Sequence, residues 1–467
     1  VPFVVDYGGQ RFGKYPLGWP VMLSFGERLD ARAWVNPLLA GLGVWLTYRL
    51  GKKTLGEIVG LLAAGLTLTS PFFLMNSGAL LSHPWGLALS AAFALSWLDA
   101  VDEQGHLPGW LPTLGAGFSL GVLALNRPLT TVGVAIPFGI HGLILIFRGS
   151  KVIRQHVFTV GAIALLVASL HFLWQFSLTG DPLFSSYTLW WEYDKYGFGP
   201  GYGVTERGHS LKLAWINTLF SLKTGSSDLF GWGRLSWLFL PFGLWALRRE
   251  RKTWPLVGVF PALVLLYGGY WVGAWLLGPR YYYEGLYSLT LLTAAGIAWL
   301  AGWPLRPASI ITNPAWRTQS PSSRGDCRTP LRCVRNDIQQ GFFRLRRLRP
   351  LLVTAVLLLL TAANVIFYLP GRIGGMYGLF GIQRARLEPF LTPEAQALTP
   401  ALVFVHPEDW REYGALLELS NPFLDTPFVF VYSRGASSDA EIMTQFPERN
   451  VFHYYPEDPY RFYVERK

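Results

Sequence analysis

The sequence predicts an all-α polytopic membrane protein with a small α/β domain at its C-terminal end. Three observations carry that reading. Apolar residues make up 51% of the 467-residue chain and charged residues only 15%, and mean hydropathy is positive at +0.29. The apolar residues gather into about ten long runs: 34–49, 55–74, 80–98, 111–125, 128–147, 157–177, 233–247, 254–277, 284–303 and 350–369. Beyond residue 370 the runs shorten and become β-branched and aromatic.

Each run reads as a transmembrane helix. Crossing the hydrocarbon core takes roughly 20 apolar residues in a helix. Backbone groups cannot stay unpaired in lipid, so a span must satisfy them within itself. The runs are continuously apolar rather than alternating, which argues against a β-barrel. The 20 Trp and 21 Tyr suit membrane–water interfaces.

The loops divide by charge. Arg49, Lys52 and Lys53 follow the first run; Arg148, Lys151 and Arg154 the fifth; Arg248, Arg249, Arg251 and Lys252 the seventh; and 304–349 holds ten Arg. The positive-inside rule places these loops in the cytoplasm. It leaves 1–33, 75–79, 126–127, 178–232, 278–283 and 370–467 outside, in a multi-pass protein of the plasma (inner) membrane. The loop 99–110, with Asp99, Asp102 and Glu103, goes against this pattern. The same loops account for the net charge of +11, so nucleic acid is not an expected partner.

The organisation follows in order. Residues 1–33 form an external loop, and 34–303 a transmembrane core with the large external loop 178–232. The first residues are loop-like with no basic segment or apolar helix ahead of Val1, so a first helix is expected upstream. Residues 304–349 read as a basic disordered cytoplasmic linker, rich in Ser, Pro, Thr, Arg and Asn. Its Cys327 and Cys333, with five residues between them and without a nearby His, make a poor zinc site. A last helix spans 350–369. In the tail 370–467, strands are expected at 401–406, 427–434, 451–455 and 461–465, with helices at 409–419 and 438–446. His406 and His453 read there as surface or packing residues.

Five polar clusters fall on the external side. The loop "DYGGQRFGKYPLGWP" carries Asp6, Arg11, Lys14 and Tyr15. "NSGALLSHP" brings Asn76, Ser77, Ser82 and His83, and "LNRPLT" brings Asn126 and Arg127. The long loop 178–232 contains Asp181, Trp190, Trp191, Glu192, Asp194, Lys195 and His209. "GPRYYYEGLY" contributes Arg280, Tyr281, Tyr282 and Glu284. Ionisable groups beside a span are costly and tend to mark function. Arginine's planar fork matches phosphate oxygens, and aromatic faces suit a sugar or a prenyl chain. Two Arg, one Lys and several rings on one side therefore fit a sugar-bearing lipid phosphate. Plainer roles stand beside this: Arg127 and Arg280 as interface anchors, His83 in packing, and Trp190 and Trp191 at the headgroups. Asp181 would then make a turn and Glu284 would pair with Arg280.

In their order, "KYPLGWP" (14–20), "VNPLLAGLGVWLTYRLG" (35–51), "SPFFLMNSGALLSHP" (70–84), "NRPLT" (126–130), "TGDPL" (179–183) and "GPRYYYE" (278–284) resemble the GT-C integral-membrane glycosyltransferases. The resemblance is to the bacterial, family-39-like branch, similar to dolichyl-phosphate-mannose–protein mannosyltransferases. It covers most of residues 5–303. It implies transfer of a sugar from a polyprenyl-phosphate donor to a lipid, glycan or protein acceptor on the outer face, with inversion, as in a hexosyltransferase. It also implies Arg280 and Arg127 on the donor phosphate with Lys14 assisting, and Tyr15, His83, Trp190, Trp191, Tyr281 and Glu284 around the substrates. The family's catalytic carboxylate sits in its first external loop, a position expected upstream of Val1, which leaves Asp6 as the nearest external candidate. A divalent metal stays open, although no carboxylate/His spacing here makes a metal site. Two alternatives remain: a lipid-linked sugar flippase or transporter, which should show internal repeats and midplane polar residues, and an inactive fragment of the transferase. His141 and His171 are the isolated midplane candidates.

Overall fold

The computed structural model describes residues 4–102, 109–274, 276–305, 348–379, 382–421 and 423–464. Cys327, Cys333 and most of the 304–349 linker lie outside the described residues. The chain divides into a helical unit, Val5–Pro370, and a second unit formed essentially by Gly371–Lys467.

The helical unit opens with strands β1 (Val4–Tyr7) and β2 (Gln10–Gly13), paired to each other. Gly8 and Gly9 make the turn between them, both with positive φ. Helices follow: α1 (Gly18–Arg28), α2 (Arg32–Leu55), α3 (Glu57–Leu68), α4 (Pro71–Ser77), α5 (His83–Ala100), α6 (Trp110–Asn126), α7 (Pro128–Arg148) and α8 (Lys151–Thr179). After a long loop carrying the short α9 (Ser186–Trp190) come α10 (Leu211–Asp228), α11 (Leu240–Leu247), α12 (Trp254–Tyr267) and α13 (Leu286–Ala301). A 3-10 segment, Arg280–Gly285, leads into α13. The last helix is α14, Leu348–Gly374, which contains a π-helical stretch at Asn364–Tyr368.

The expectation of about ten transmembrane helices is overturned. Among the described residues, four helices are long and apolar enough to cross a membrane: Pro128–Arg148, Lys151–Thr179, Arg280–Ala301 and Leu348–Gly374. A fifth is reached if Glu57–Leu68 and Pro71–Ser77, bent by 60° at Ser70, count as one broken span. The reasons are local. The run 233–247 breaks into a 3-10 turn at Gly233–Leu235 and the 8-residue α11. The run 254–277 keeps only a 14-residue helix, which stops ahead of Gly268 and Gly269. At 1.5 Å per residue neither helix reaches across a hydrocarbon core of about 30 Å. The run 111–125 lies in α6, which has 17 residues and is too short. The runs 34–49 and 80–98 lie in α2 and α5, which are long enough but carry Asn36, Pro37, Ser82–Pro84 or Asp99 in or beside them and fall short in hydropathy. The chain remains a polytopic, largely α-helical membrane protein.

The candidate spans differ in how much of their surface is covered by the rest of the protein. Only 11% of the apolar window of α8 and 6% of that of α14 is buried, and α8 turns Leu165, Leu166, Leu170 and Leu173 outward. In the Arg280–Ala301 span 89% is buried, as expected of a helix apolar on every side and packed at the centre. Helix α13 packs on α3, α11 and α12; α2 packs on α3 and α5; and α6 on α5 and α8. Glycines allow the closest approaches. A Cβ at Gly243 or Gly296 would lie about 2 Å from a carbonyl oxygen across the α11–α13 contact.

The bend between α3 and α4 frees backbone groups inside the bundle. They find partners from distant segments. Asn364 Nδ2 on α14 donates to Thr69 O at 2.7 Å, and Ser70 Oγ donates to Leu229 O. Asn364 is fully buried on an otherwise exposed helix, and one turn on, Tyr368 OH donates to Asp228 Oδ1 at 2.6 Å.

The second unit holds a four-stranded sheet in the order β4-β3-β5-β6: β3 (Ala401–Val405), β4 (Phe428–Tyr432), β5 (Asn450–Tyr454) and β6 (Phe462–Val464). Strand β3 runs parallel to both β4 and β5, and β6 is antiparallel to β5. Alternate residues of β3 face opposite layers. Ala401, Val403 and Val405 pack with Tyr413 and Leu416 of the helix Trp410–Leu416, while Leu402 and Phe404 pack with Ile442 and Met443 of the helix Ala436–Gln445.

Candidate functional site

The site is built where the ends of five segments of the helical unit meet. Pro128, in the first turn of α7, forces the preceding residue out of the helical region. Arg127, at φ −147°, therefore sits in a break between α6 and α7. Gly18 brings the start of α1 against this break, since a Cβ there would lie 2.7 Å from the Asn126 backbone nitrogen. That contact sets Lys14 and Tyr15, just ahead of α1, beside Arg127. His83 opens α5, with Pro84 in its first turn. A left-handed turn at Gly278, φ +69°, introduces the 3-10 segment with Arg280, Tyr281 and Glu284.

Glu284 is completely buried and joins two of these segments. Its Oε1 lies 3.1 Å from Arg127 Nε and 3.2 Å from His83 Nδ1. His83 Nε2 is 3.4 Å from Arg127 Nη1. One arrangement satisfies all three contacts: a neutral imidazole donates from Nδ1 to Glu284 and accepts at Nε2 from Arg127. Arg127 is further held by Thr130 Oγ1 (3.1 Å), Ser82 Oγ (3.4 Å) and Tyr267 OH (3.5 Å). Glu284 Oε2 is buried with no hydrogen-bond partner among the described residues. Gly86 leaves room for this carboxylate, for a Cβ there would lie 2.7 Å from Oε1.

Lys14 and Asp194 form a second buried pair, Nζ to Oδ2 at 2.7 Å, with both side chains 2% exposed. The Lys14 ammonium also lies over the Trp191 ring, 3.9 Å from its centroid. Asp194 Oδ1 accepts from Tyr270 OH at 2.7 Å and from Trp271 Nε1 at 3.1 Å. Burial lowers the Lys14 pKa below its ordinary value, against the opposing pull of Asp194. Burial, followed by Tyr281 and Asp194, raises that of the Tyr270 hydroxyl, which stays a donor.

The two pairs meet at a tyrosine cluster. Tyr281 stacks on Tyr267 with centroids 4.9 Å apart and meets Tyr270 edge-on at 5.5 Å. Arg127 and Arg280 both lie against the Tyr281 ring, their Cζ atoms 5.9 and 5.3 Å from its centroid. Arg280 is half-buried, and among the described residues no carboxylate is within ion-pair reach of it. Tyr15 meets Tyr187 edge-on at 5.6 Å, and Trp190 meets Trp191 at 6.4 Å.

Eleven of the residues singled out in the sequence thus fall into one connected cluster: Lys14, Tyr15, Ser82, His83, Arg127, Trp190, Trp191, Asp194, Arg280, Tyr281 and Glu284. Glu284 pairs with Arg127 and His83 rather than with Arg280. Asp6 lies on β1, and its side chain is outside the described part of the structure. Asp181 accepts from the Leu183 amide at 2.8 Å and makes a turn. Sequence reasoning missed the site contribution of Tyr267, Tyr270 and Trp271, because they were absorbed into the apolar run 254–277. The signal available was "YGGYW", a glycine pair flanked by polar-edged rings at the end of a helix. Asp194 was visible in "WWEYDKY", but nothing local marks Lys14 as its partner. Among the described residues, no three His, Cys, Asp or Glu side chains are placed to hold a metal ion.

The charges can be counted. Lys14, Arg127 and Arg280 supply three positive charges, and Asp194 and Glu284 two negative ones. Among these five side chains the positive charges exceed the negative by one, and Arg280 lies in a partly buried aromatic setting suited to an anion.

Two solved structures of ArnT from Cupriavidus metallidurans are similar to this chain in fold. The one bound to undecaprenyl phosphate is 13% identical, with a TM-score of 0.57, over 97% of this chain and 81% of ArnT. The apo structure is 11% identical, with a TM-score of 0.58, over 97% of this chain and 85% of ArnT. The chain shares the fold of ArnT. In addition, residues 18–174 match the family model described as dolichyl-phosphate-mannose-protein mannosyltransferase, which spans about a third of the chain. No curated protein matches. These similarities carry a GT-C fold of the ArnT and protein-mannosyltransferase kind, not a placement within the family-39 branch alone.

Proposed function

We propose that this GT-C protein is a polyprenyl-phosphate-dependent glycosyltransferase acting at the extracytoplasmic face of the plasma membrane, in the manner of the family-39-like hexosyltransferases. The observation that carries the proposal is the meeting of Arg127 and Arg280 on the Tyr281 ring with one positive charge in excess. A polyprenyl-phosphate sugar is a phosphodiester with one negative charge, which that excess matches. ArnT, which has the same fold, has been crystallised with undecaprenyl phosphate.

The reaction is a single displacement. The acceptor hydroxyl oxygen attacks the anomeric carbon, the bond from that carbon to the phosphate oxygen breaks, and the lipid phosphate leaves with the electron pair. The hydroxyl proton passes to a base, and the anomeric centre inverts. Charge develops on the leaving phosphate, and prearranged cations stabilise it in a partly water-excluded site. Arg280 is the principal ligand for that charge, and Arg127 is the second. Tyr15, Trp190 and Trp191 offer rings for the sugar and the lipid.

Transfer from radiolabelled undecaprenyl-phosphate hexoses into the membrane fraction tests this reading. Arg280→Ala is expected to lower transfer by about 10²–10³ while the protein still inserts and melts normally. Undiminished transfer by that variant, or no transfer from any of the donors by the parent protein, refutes it.

A further inference from the structure

The buried carboxylate of Glu284 competes with the ligand for Arg127. The carboxylate is 0% exposed and 3.1 Å from Nε. A charge placed beside a ligand's own counter-ion would be expected to weaken binding, so its presence in a phosphate site calls for a reason. The charge count supplies one. With Glu284 ionised, the five described side chains Lys14, Arg127, Arg280, Asp194 and Glu284 carry one net positive charge; with a neutral residue at 284 they would carry two.

We infer that Glu284 sets the affinity of the site so that the phosphodiester donor is held and the phosphomonoester product is let go. The inference rests on the glycosyltransferase reading above. The donor carries one negative charge. The product lipid phosphate, whose second ionisation lies near pH 6, carries close to two at pH 8. A site with a single excess positive charge matches the donor and leaves the product overcharged by one. A site with two would match the product and retain it. Glu284 contacts Arg127 and His83. It acts through Arg127, drawing off part of that guanidinium's field, and through His83, whose Nδ1 proton it fixes. Glu284 is thus a positioning and tuning residue.

The experiment compares binding of two probes to the purified full chain in detergent at pH 8: undecaprenyl phosphate, a dianion, and undecaprenyl methyl phosphate, a monoanion. In the parent protein the dianion is expected to bind no more than about threefold tighter than the monoanion. In Glu284→Gln the dianion is expected to bind about tenfold or more tighter than in the parent, with slower turnover and a lower KM for donor. Glu284→Asp, which keeps the charge, should retain parental affinities within about threefold. A parent protein that prefers the dianion by tenfold overturns the inference without any variant. So does a Glu284→Gln protein that binds it more weakly. If Arg280→Ala and Arg127→Ala leave both probes bound as in the parent, the phosphate site itself has been misread. If those two lose binding while Glu284→Gln does not gain it, only the tuning role falls.

Discussion

Replacing Lys14 with Met tests how the N-terminal segment is joined to the 178–232 loop. The Lys14–Asp194 contact is 2.7 Å long, and both side chains are 2% exposed. Removing one member of such a buried pair typically costs about 3–5 kcal/mol, because the partner charge is left uncompensated. Asp194 is not left bare, however. Tyr270 OH and Trp271 Nε1 still donate to it at 2.7 and 3.1 Å, each worth about 1.5–3 kcal/mol as a bond to a charged group. The loss for Lys14→Met should therefore fall at the lower end, about 3 kcal/mol. Asp194→Asn leaves the ammonium over the Trp191 ring at 3.9 Å, which offsets about 1–2 kcal/mol, so about 2 kcal/mol is expected there. The double variant should fall short of the sum by about 1.5–3 kcal/mol, the coupling of directly touching residues. Reversible unfolding in mixed detergent micelles gives the free energies, and the rate of protease cleavage within 178–210 gives the local effect. Additive variants, agreeing within about 0.5 kcal/mol, would show that the contact does not join the two segments.

Three further outcomes are expected. Gly86→Ala should destabilise by about 1–3 kcal/mol and lower transfer tenfold or more, since the added methyl meets Glu284 Oε1 at 2.7 Å; a protein with normal melting and normal transfer contradicts this. Asn364→Leu should cost about 1–3 kcal/mol by leaving Thr69 O without its donor, and faster amide exchange across 69–73 would register it. In the second unit, His406 Nε2 lies 2.7 Å from His453 Nδ1, and burial, followed by His453, holds the His406 pKa below its ordinary 6.5. The opened state then binds a proton that the closed edge refuses. Protection of the His406 amide, which donates to Tyr454 O, should be full above pH 6.5 and fall as the pH drops towards 5. Hydrogen exchange on the full chain measures it, and His406→Gln should flatten the profile.

How much of this was legible in the sequence depends on what each residue had to be near. Segments 128–147, 157–177, 284–303 and 350–369 could be read as spans because their average apolar character is high and the helices within them are long enough. Runs 233–247 and 254–277 look similar in composition, but breaks at Gly233–Leu235 and after Tyr267 shorten the helices inside them. Apolar content reports burial and does not distinguish burial in lipid from burial against other helices. Helix α5 illustrates this, since His83, Ser90 and Trp97 are all buried in protein. In the site, the residue types were readable because Arg, Lys and rings at the ends of apolar runs are unusual. The partners were not. Lys14 and Asp194 lie 180 residues apart, and His83 and Glu284 lie 201 apart. Such pairings arise from helix packing, which leaves no local trace in the sequence.

The contact between Asn364 and Thr69 has a consequence for biosynthesis. The two residues are 295 apart, and α14 is the last helix of its unit to be made. As the chain leaves the ribosome, the kink at Ser70 is formed long before the side chain that completes its hydrogen bonding exists. Until α14 docks, the carbonyl of Thr69 lacks this donor, and the bent segment is held by earlier contacts such as Ser70 Oγ on Leu229 O. The kink at Ser70 therefore gains its last hydrogen bond late, when synthesis of the helical unit is ending. Amide exchange at 69–73 in Asn364→Leu reports directly on that unfinished state.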